Sequence, residues 1–379
     1  MTVATNLIES LNGIPRGGLK GKRVMVNRIG ALGDCIVMTP FLRWLKREGA
    51  EVVMLTSERG RHVLHGLSSI DSFSCYVSDS VPPDLWKRTW RERASENRCD
   101  ILLDFCGSIE SALSPSVSEP LYKMPKNERH ARCNVNYYEQ MWHFSGASWA
   151  VPDLTSADLR PEMVFSRSEV REVEEFLGNG LPDGAKLMVV CWTGSGAAKR
   201  YPWMKDAIGE ALTRHPNLFC IVVGDQTVDL RALSDETGGR VCSRMTHWNF
   251  KKACVAGSLA DVVVAPDTGF LHAMGAFQVP KVGILGANTR ENLTKHFLND
   301  LSIEANQRTV GCAPCHRLIQ DSAVQCETEL FPWEGDSKGY AEIAWCLSLG
   351  IDPEDVTDRI GRGLMIGNPQ AWSRRLVHA

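Results

Sequence analysis

The chain lacks a charge surplus: 42 Lys and Arg stand against 45 Asp and Glu, a formal net charge of −3 over 379 residues. This excludes a protein coated in basic charge for nucleic acid, although a local basic patch survives the argument. There is no apolar run near the ~20 residues that a membrane-spanning helix needs. Residues 1–19 hold no continuous apolar segment, so no secretory leader is read there and a cytoplasmic setting is expected. Disordered and coiled-coil compositions are also missing, since 44% of residues are hydrophobic and 23% charged. Cysteine is not scarce. Its count of 13 is odd, so the residues cannot all pair within the chain. Without export most are expected as reduced, buried thiols.

A chain of this length holds a substantial core and suggests two domains. Arg23–Asn27 is a short apolar run that reads as a buried strand. A Gly-rich turn follows, then helical spacing over Cys35–Glu48 and a second strand at Glu51–Thr56. Strand, helix, strand in about 35 residues is a βαβ unit with a parallel sheet. Lys87–Arg98 reads as a charged helix and Asp100–Phe105 as a strand, whereas residues 106–150 show little periodicity and read as long loops. Arg167–Leu177 reads as an amphipathic helix, and Gly178–Gly184 as the linker. The βα rhythm restarts at Lys186 and runs to Leu285. The expected architecture is α/β: two Rossmann-like domains with parallel sheets facing an interdomain cleft. The expected boundaries are 1–177, 185–345 and a helical tail, 346–379, that folds back on the first domain.

Three loops carry chemistry. Gly30-Ala31-Leu32-Gly33-Asp34 joins the first strand to its helix but lacks the third glycine of a dinucleotide fingerprint. Asp34 there reads locally as a helix cap, with a general base as the sharper alternative. Thr193-Gly194-Ser195-Gly196-Ala197-Ala198-Lys199-Arg200 follows a strand, and its hydroxyls, small residues and basic groups suit a pyrophosphate, though it is not a Walker motif. Val262 to Ala265 runs into Pro266-Asp267-Thr268-Gly269-Phe270-Leu271-His272, a buried strand opening a helix whose first N–H groups can meet a phosphate.

Arg23 to Asp34 with Thr39-Pro40, then Lys199 to Trp203, then Val262 to Gly286 resemble, in this order, the ADP-heptose:lipopolysaccharide heptosyltransferases, glycosyltransferase family 9. The resemblance implies a GT-B fold and an inverting, metal-independent glycosyltransferase. Such an enzyme moves heptose or a related sugar from a nucleotide-diphosphate donor, most simply ADP-linked, to a hydroxyl of a glycan or glycolipid. It implies that Asp34 is the base, against the local preference for a cap. Thr193, Ser195, Lys199, Asp225, Asp267, Thr268, Gly269 and His272 are then the donor-binding set, with Arg28, Arg59 and Arg61 on the acceptor side. No cofactor is required, and work at the inner face of a membrane fits a glycolipid acceptor. A protein or modified nucleic-acid base as acceptor, or a nucleotide-sugar-binding protein without catalysis, are the other readings.

Two clusters stand apart. Cys312-Ala313-Pro314-Cys315-His316 with Cys326 reads as reduced structural thiols, as a structural zinc site, or as a disulfide. Lys87, Arg88, Arg91, Arg93 and Arg98, offset by Glu92 and Glu96, read as a solvated helix face or as an acceptor-side patch for phosphates.

Overall fold

The computed structural model describes residues 7–29, 31–76, 83–105, 135–194, 199–315, 330–332 and 342–372. The chain divides into two compact units, meeting in sequence between Val164 and Phe165.

The first unit is built on four parallel strands: β1 (Arg23–Asn27), β2 (Glu51–Ser57), β3 (Ser72–Tyr76) and β4 (Ile101–Asp104), in the order β3-β2-β1-β4. Four of the five β1 residues are buried, as expected of a strand covered on both faces. Between β1 and β2 the single expected helix is two, α1 (Leu32–Val37) and α2 (Thr39–Arg47), because Pro40 enters the first turn of the second and cannot donate to the first. On one side Met25, Val53 and Leu55 pack with Trp90 and Ala94 of α4 (Pro83–Glu96), which α3 (Glu58–Leu64) precedes in the chain. Phe41 and Trp44 of α2 meet Trp142 of α5 (Gln140–Ser145) edge-on, with ring centroids 5.2 and 5.9 Å apart. The charged face of α4 is neutralised: Arg88 pairs with Glu92, Arg91 with Glu9 and Arg93 with Glu96. That favours a solvated face over a phosphate patch.

The second unit opens with α6 (Arg167–Gly180), held by a capping box between Ser166 and Glu169. This helix packs on α9 (Phe250–Ser258), with Phe176 edge-on to Trp248 and Glu172 paired with Lys252. The expected first domain, 1–177, therefore ends too late: its last helix belongs to the second unit. The sheet has β5 (Lys186–Cys191), β6 (Leu218–Val223), β7 (Val241–Ser243), β8 (Val262–Pro266), β9 (Lys281–Leu285) and β10 (Ile303–Glu304), all parallel, in the order β10-β9-β8-β5-β6-β7. The connecting helices are α7 (Met204–Arg214), α8 (Arg231–Glu236), α9, α10 (Gly269–Met274) and α11 (Arg290–Leu293).

Over its described residues the tail is part of the second unit. After α12 (Trp345–Ser348), helix α13 (Pro353–Ile366) lies against α7, β8 and β9 of the second unit, and Asn368 donates to the carbonyls of Ser258 and Ala260. Its apolar stripe of Val356, Ile360 and Leu364 has an apolar surface to cover there. A short antiparallel pair, β11 (Leu330–Pro332) and β12 (Glu342–Ala344), precedes it. Among the described residues no helix is long and apolar enough to cross a membrane.

Candidate functional site

In each sheet the strand order reverses once: between β1 and β4 in the first unit, and between β5 and β8 in the second. Ligands of open parallel sheets bind beyond the carboxyl ends of the strands at such reversals. All three chemistry-bearing loops emerge at these two places.

In the first unit Asn27 and Asp104 end β1 and β4 side by side, and Asn27 Nδ2 donates to Asp104 Oδ1 at 3.0 Å. Asp34 lies in the first turn of α1, but its carboxylate caps nothing: the N-cap position is Ala31, without a side-chain bond. The carboxylate instead pairs with the guanidinium of Arg28 and is 14% exposed. Arg28 was expected on the acceptor side. It is 2% exposed, and its Nη1 donates to the carbonyl of Phe105 at 2.6 Å, so its charge serves Asp34. Arg59 and Arg61 do lie exposed on α3, next to α1, with Arg61 3.7 Å from Glu58. Gly60 permits this closeness, since a Cβ there would sit 2.1 Å from Thr56 Oγ1 and 3.1 Å from Cys35 Sγ. Gly30 lies outside the described residues.

The second unit gathers most of the expected donor set. Thr193 and Arg200 pair as an antiparallel bridge, and the Gly194 N–H donates to the Lys199 carbonyl at 3.0 Å. A Cβ on Gly194 would stand 2.5 Å from Lys199 Cβ and 3.0 Å from Thr268 Cγ2, so glycine lets this loop lie against Thr268. Ser195 lies outside the described residues. Lys199 Nζ is 3.8 Å from Asp267 Oδ2, Asn288 Nδ2 donates to the same oxygen at 3.0 Å, and His272 Nε2 is 3.5 Å from Oδ1. Burial pushes the Asp267 carboxyl up, but the Lys199 charge and the His272 and Asn288 contacts outweigh it and hold the group well below the ordinary carboxylate range. Thr268 caps α10 by accepting from the Leu271 N–H at 3.4 Å, and Gly269 begins the helix. The Thr268 hydroxyl also lies 3.9 Å from Cys191 Sγ, a thiol that burial pushes up to about 12 and so keeps neutral. Asp225, exposed just past β6, is near enough to raise that thiol further.

Two residues of this neighbourhood were not read from the sequence. Asn288 follows β9 and holds Asp267; only its position just beyond a strand hinted at it. Gln226 is 6% exposed, and its Oε1 has no hydrogen-bond partner among the described residues.

Of the cysteine cluster, Cys312 and Cys315 pack half-buried against the second unit's core, while His316 and Cys326 lie outside the described residues. Among the described residues no group of three or more His, Cys, Asp or Glu is placed to hold a metal ion.

The whole-chain fold matches solved structures over nearly its full length. A glycosyltransferase family 9 structure from Veillonella parvula superposes with a TM-score of 0.63 at 14% identity, covering 92% of this chain and 98% of that one. The fold is GT-B. ADP-heptose LPS heptosyltransferase II of E. coli gives 0.57 at 16% identity, covering 91% and 99%. TibC, an iron-containing dodecameric glycosyltransferase from enterotoxigenic E. coli, gives 0.57 at 11% identity, covering 95% and 78%. The resemblance to the heptosyltransferase family read from the motifs is thus matched by structural similarity across the chain. No protein-family model matches the sequence, and neither does any curated protein.

Proposed function

We propose that the chain is a nucleotide-sugar-dependent glycosyltransferase that transfers heptose or a related sugar, with inversion, to a hydroxyl of a glycan or glycolipid. The observation that carries this reading is the cluster of Lys199, Asp267, Thr268 and His272 at the strand-order reversal of the second sheet. A buried carboxylate at the mouth of an anion site would repel a diphosphate. Here Asp267 is matched by Lys199, His272 and Asn288, so it acts as a tether for the cation rather than as a bare negative charge. Lys199 and the N–H groups at the start of α10 then meet the donor's diphosphate.

In this reading the acceptor oxygen forms a bond to the anomeric carbon while the bond from that carbon to the diphosphate oxygen breaks, its electron pair leaving with the diphosphate. The acceptor's proton goes to Asp34. Attack from the face opposite the leaving group inverts the anomeric carbon. A positioned base contributes ~10²–10⁴-fold. The charge that develops on the leaving diphosphate is met by Lys199, so the reading assigns no metal to the step. ADP is the proposed nucleotide, and Asp225 beyond β6 is the proposed contact to its sugar. Lipopolysaccharide is the first acceptor to try, because one of the similar structures carries that name.

The test is Asp34→Asn. ADP binding by calorimetry stays within about twofold of wild type, and transfer falls by ~10²-fold or more. Turnover within a factor of about three of wild type removes Asp34 as the base. Donor binding without any transfer, by the wild-type chain, supports a nucleotide-sugar-binding protein instead.

A further inference from the structure

We infer that Arg28 is a positioning residue for Asp34: it holds one carboxylate oxygen and thereby aims the other at the acceptor hydroxyl. This rests on Asp34 being the base.

The placement of Arg28 carries the argument. Its backbone N–H donates to the Leu55 carbonyl at 2.9 Å, which extends the β1–β2 ladder by one residue past β1. Its own carbonyl lies 4.0 Å from Cys35 Sγ on α1. The side chain then crosses the strand-order reversal. Nη1 donates to the Phe105 carbonyl, just beyond β4, and Nη2 pairs with Asp34 Oδ2. One planar guanidinium therefore joins the ends of β1 and β4 to the first turn of α1. The backbone carbonyl fixes the plane of the guanidinium, and the plane fixes the carboxylate.

The division of labour between the nitrogens matters. A bidentate pair would occupy both carboxylate oxygens. Here Nη1 is committed to a main-chain carbonyl, and Nη2 meets the carboxylate at Oδ2. The Asp34 side chain is 14% exposed, so a hydroxyl can reach it. Arg28 itself, 2% exposed, has no access to substrate and acts only through Asp34. The burial explains why the pair persists: a guanidinium out of water needs a counter-charge, and Asp34 is that charge. Lysine serves only in part, since a single ammonium keeps the charge beside Asp34 but does not present two fixed donors to two separate acceptors.

A double-mutant cycle on the full-length chain tests this. Arg28→Met, Asp34→Asn and the double variant are assayed as ADP release from ADP-heptose with lipopolysaccharide as acceptor, and with water alone. Each also has its donor KM and thermal midpoint measured. In an otherwise wild-type chain, Arg28→Met lowers kcat roughly 10- to 100-fold, the cost of a loosened catalytic group, with donor KM changed by less than about twofold. In the Asp34→Asn background the same substitution lowers kcat no further. Arg28→Lys recovers part of kcat and keeps the proposal testable if the methionine variant does not fold. Equal losses in both backgrounds, or a raised KM with unchanged kcat, overturn the positioning role while leaving Asp34 as the base. A wild-type chain that releases no ADP, or an Asp34→Asn variant that turns over normally, overturns the base reading and the positioning role with it.

Discussion

Asp267→Asn isolates one charge without removing a shape. The asparagine amide can donate to His272 Nε2 and accept from Asn288, so these contacts survive while the negative charge facing Lys199 is lost. At the observed 3.8 Å and an effective dielectric near 20, a unit pair is worth about 4 kcal/mol. The Lys199 side chain is 20% exposed and recovers some hydration when its partner is neutral, so the expected loss is smaller, ~2–3 kcal/mol. The pH dependence has a definite sign. The Asp267 carboxyl is lowered from an ordinary value of 3.8 in the folded chain. Its contribution is therefore complete above that ordinary value, and it is lost as pH falls through the depressed one. The gap between wild type and variant is flat near neutrality and narrows below about pH 4. Because two units need not unfold together, the measurement is hydrogen exchange at the amides of β8, which reads the second unit. A gap under about 0.5 kcal/mol at pH 7, or one that widens on acidification, refutes the claim that charge pairing holds this loop.

Lys199→Ala should weaken ADP binding by ~10-fold or more, because one charge-assisted contact contributes about 1.5–3 kcal/mol; unchanged affinity by calorimetry removes Lys199 from the donor site. The thiol reading of Cys312 and Cys315 expects no stoichiometric metal in the purified chain. Elemental analysis for zinc checks this, and about one equivalent overturns the thiol reading.

Much of the second unit was legible in the chain. Val262–Pro266 is a continuous apolar run that ends in a proline with a glycine three residues beyond, and such a run in a βα rhythm has few alternatives to a buried parallel strand. A cap for the next helix is legible at Asp267 or Thr268, just before Gly269, and the fold puts it at Thr268. Other strands were hidden by length or polarity: β7 has three residues and β10 two, and β3 reads Ser-Phe-Ser-Cys-Tyr without an apolar run. Their strand character comes from neighbours that supply hydrogen bonds. The boundary near the glycine-rich 178–184 stretch misled for a related reason. Glycines mark a turn, but which unit α6 joins depends on whether Phe176 finds Trp248.

The sequence by itself determined the βα alternation, the three loops, and which residues in them can bear charge or donate protons. These are local properties, set by spacing and by side-chain chemistry. The tertiary structure alone decided the partners. Nothing in the linear order says that Arg28 reaches across to the carbonyl of Phe105, or that Asn288 and His272 share one carboxylate with Lys199. Sheet order brings those strand ends together. Burial then makes each pairing obligatory, because a charge removed from water must be matched by whatever the fold places beside it.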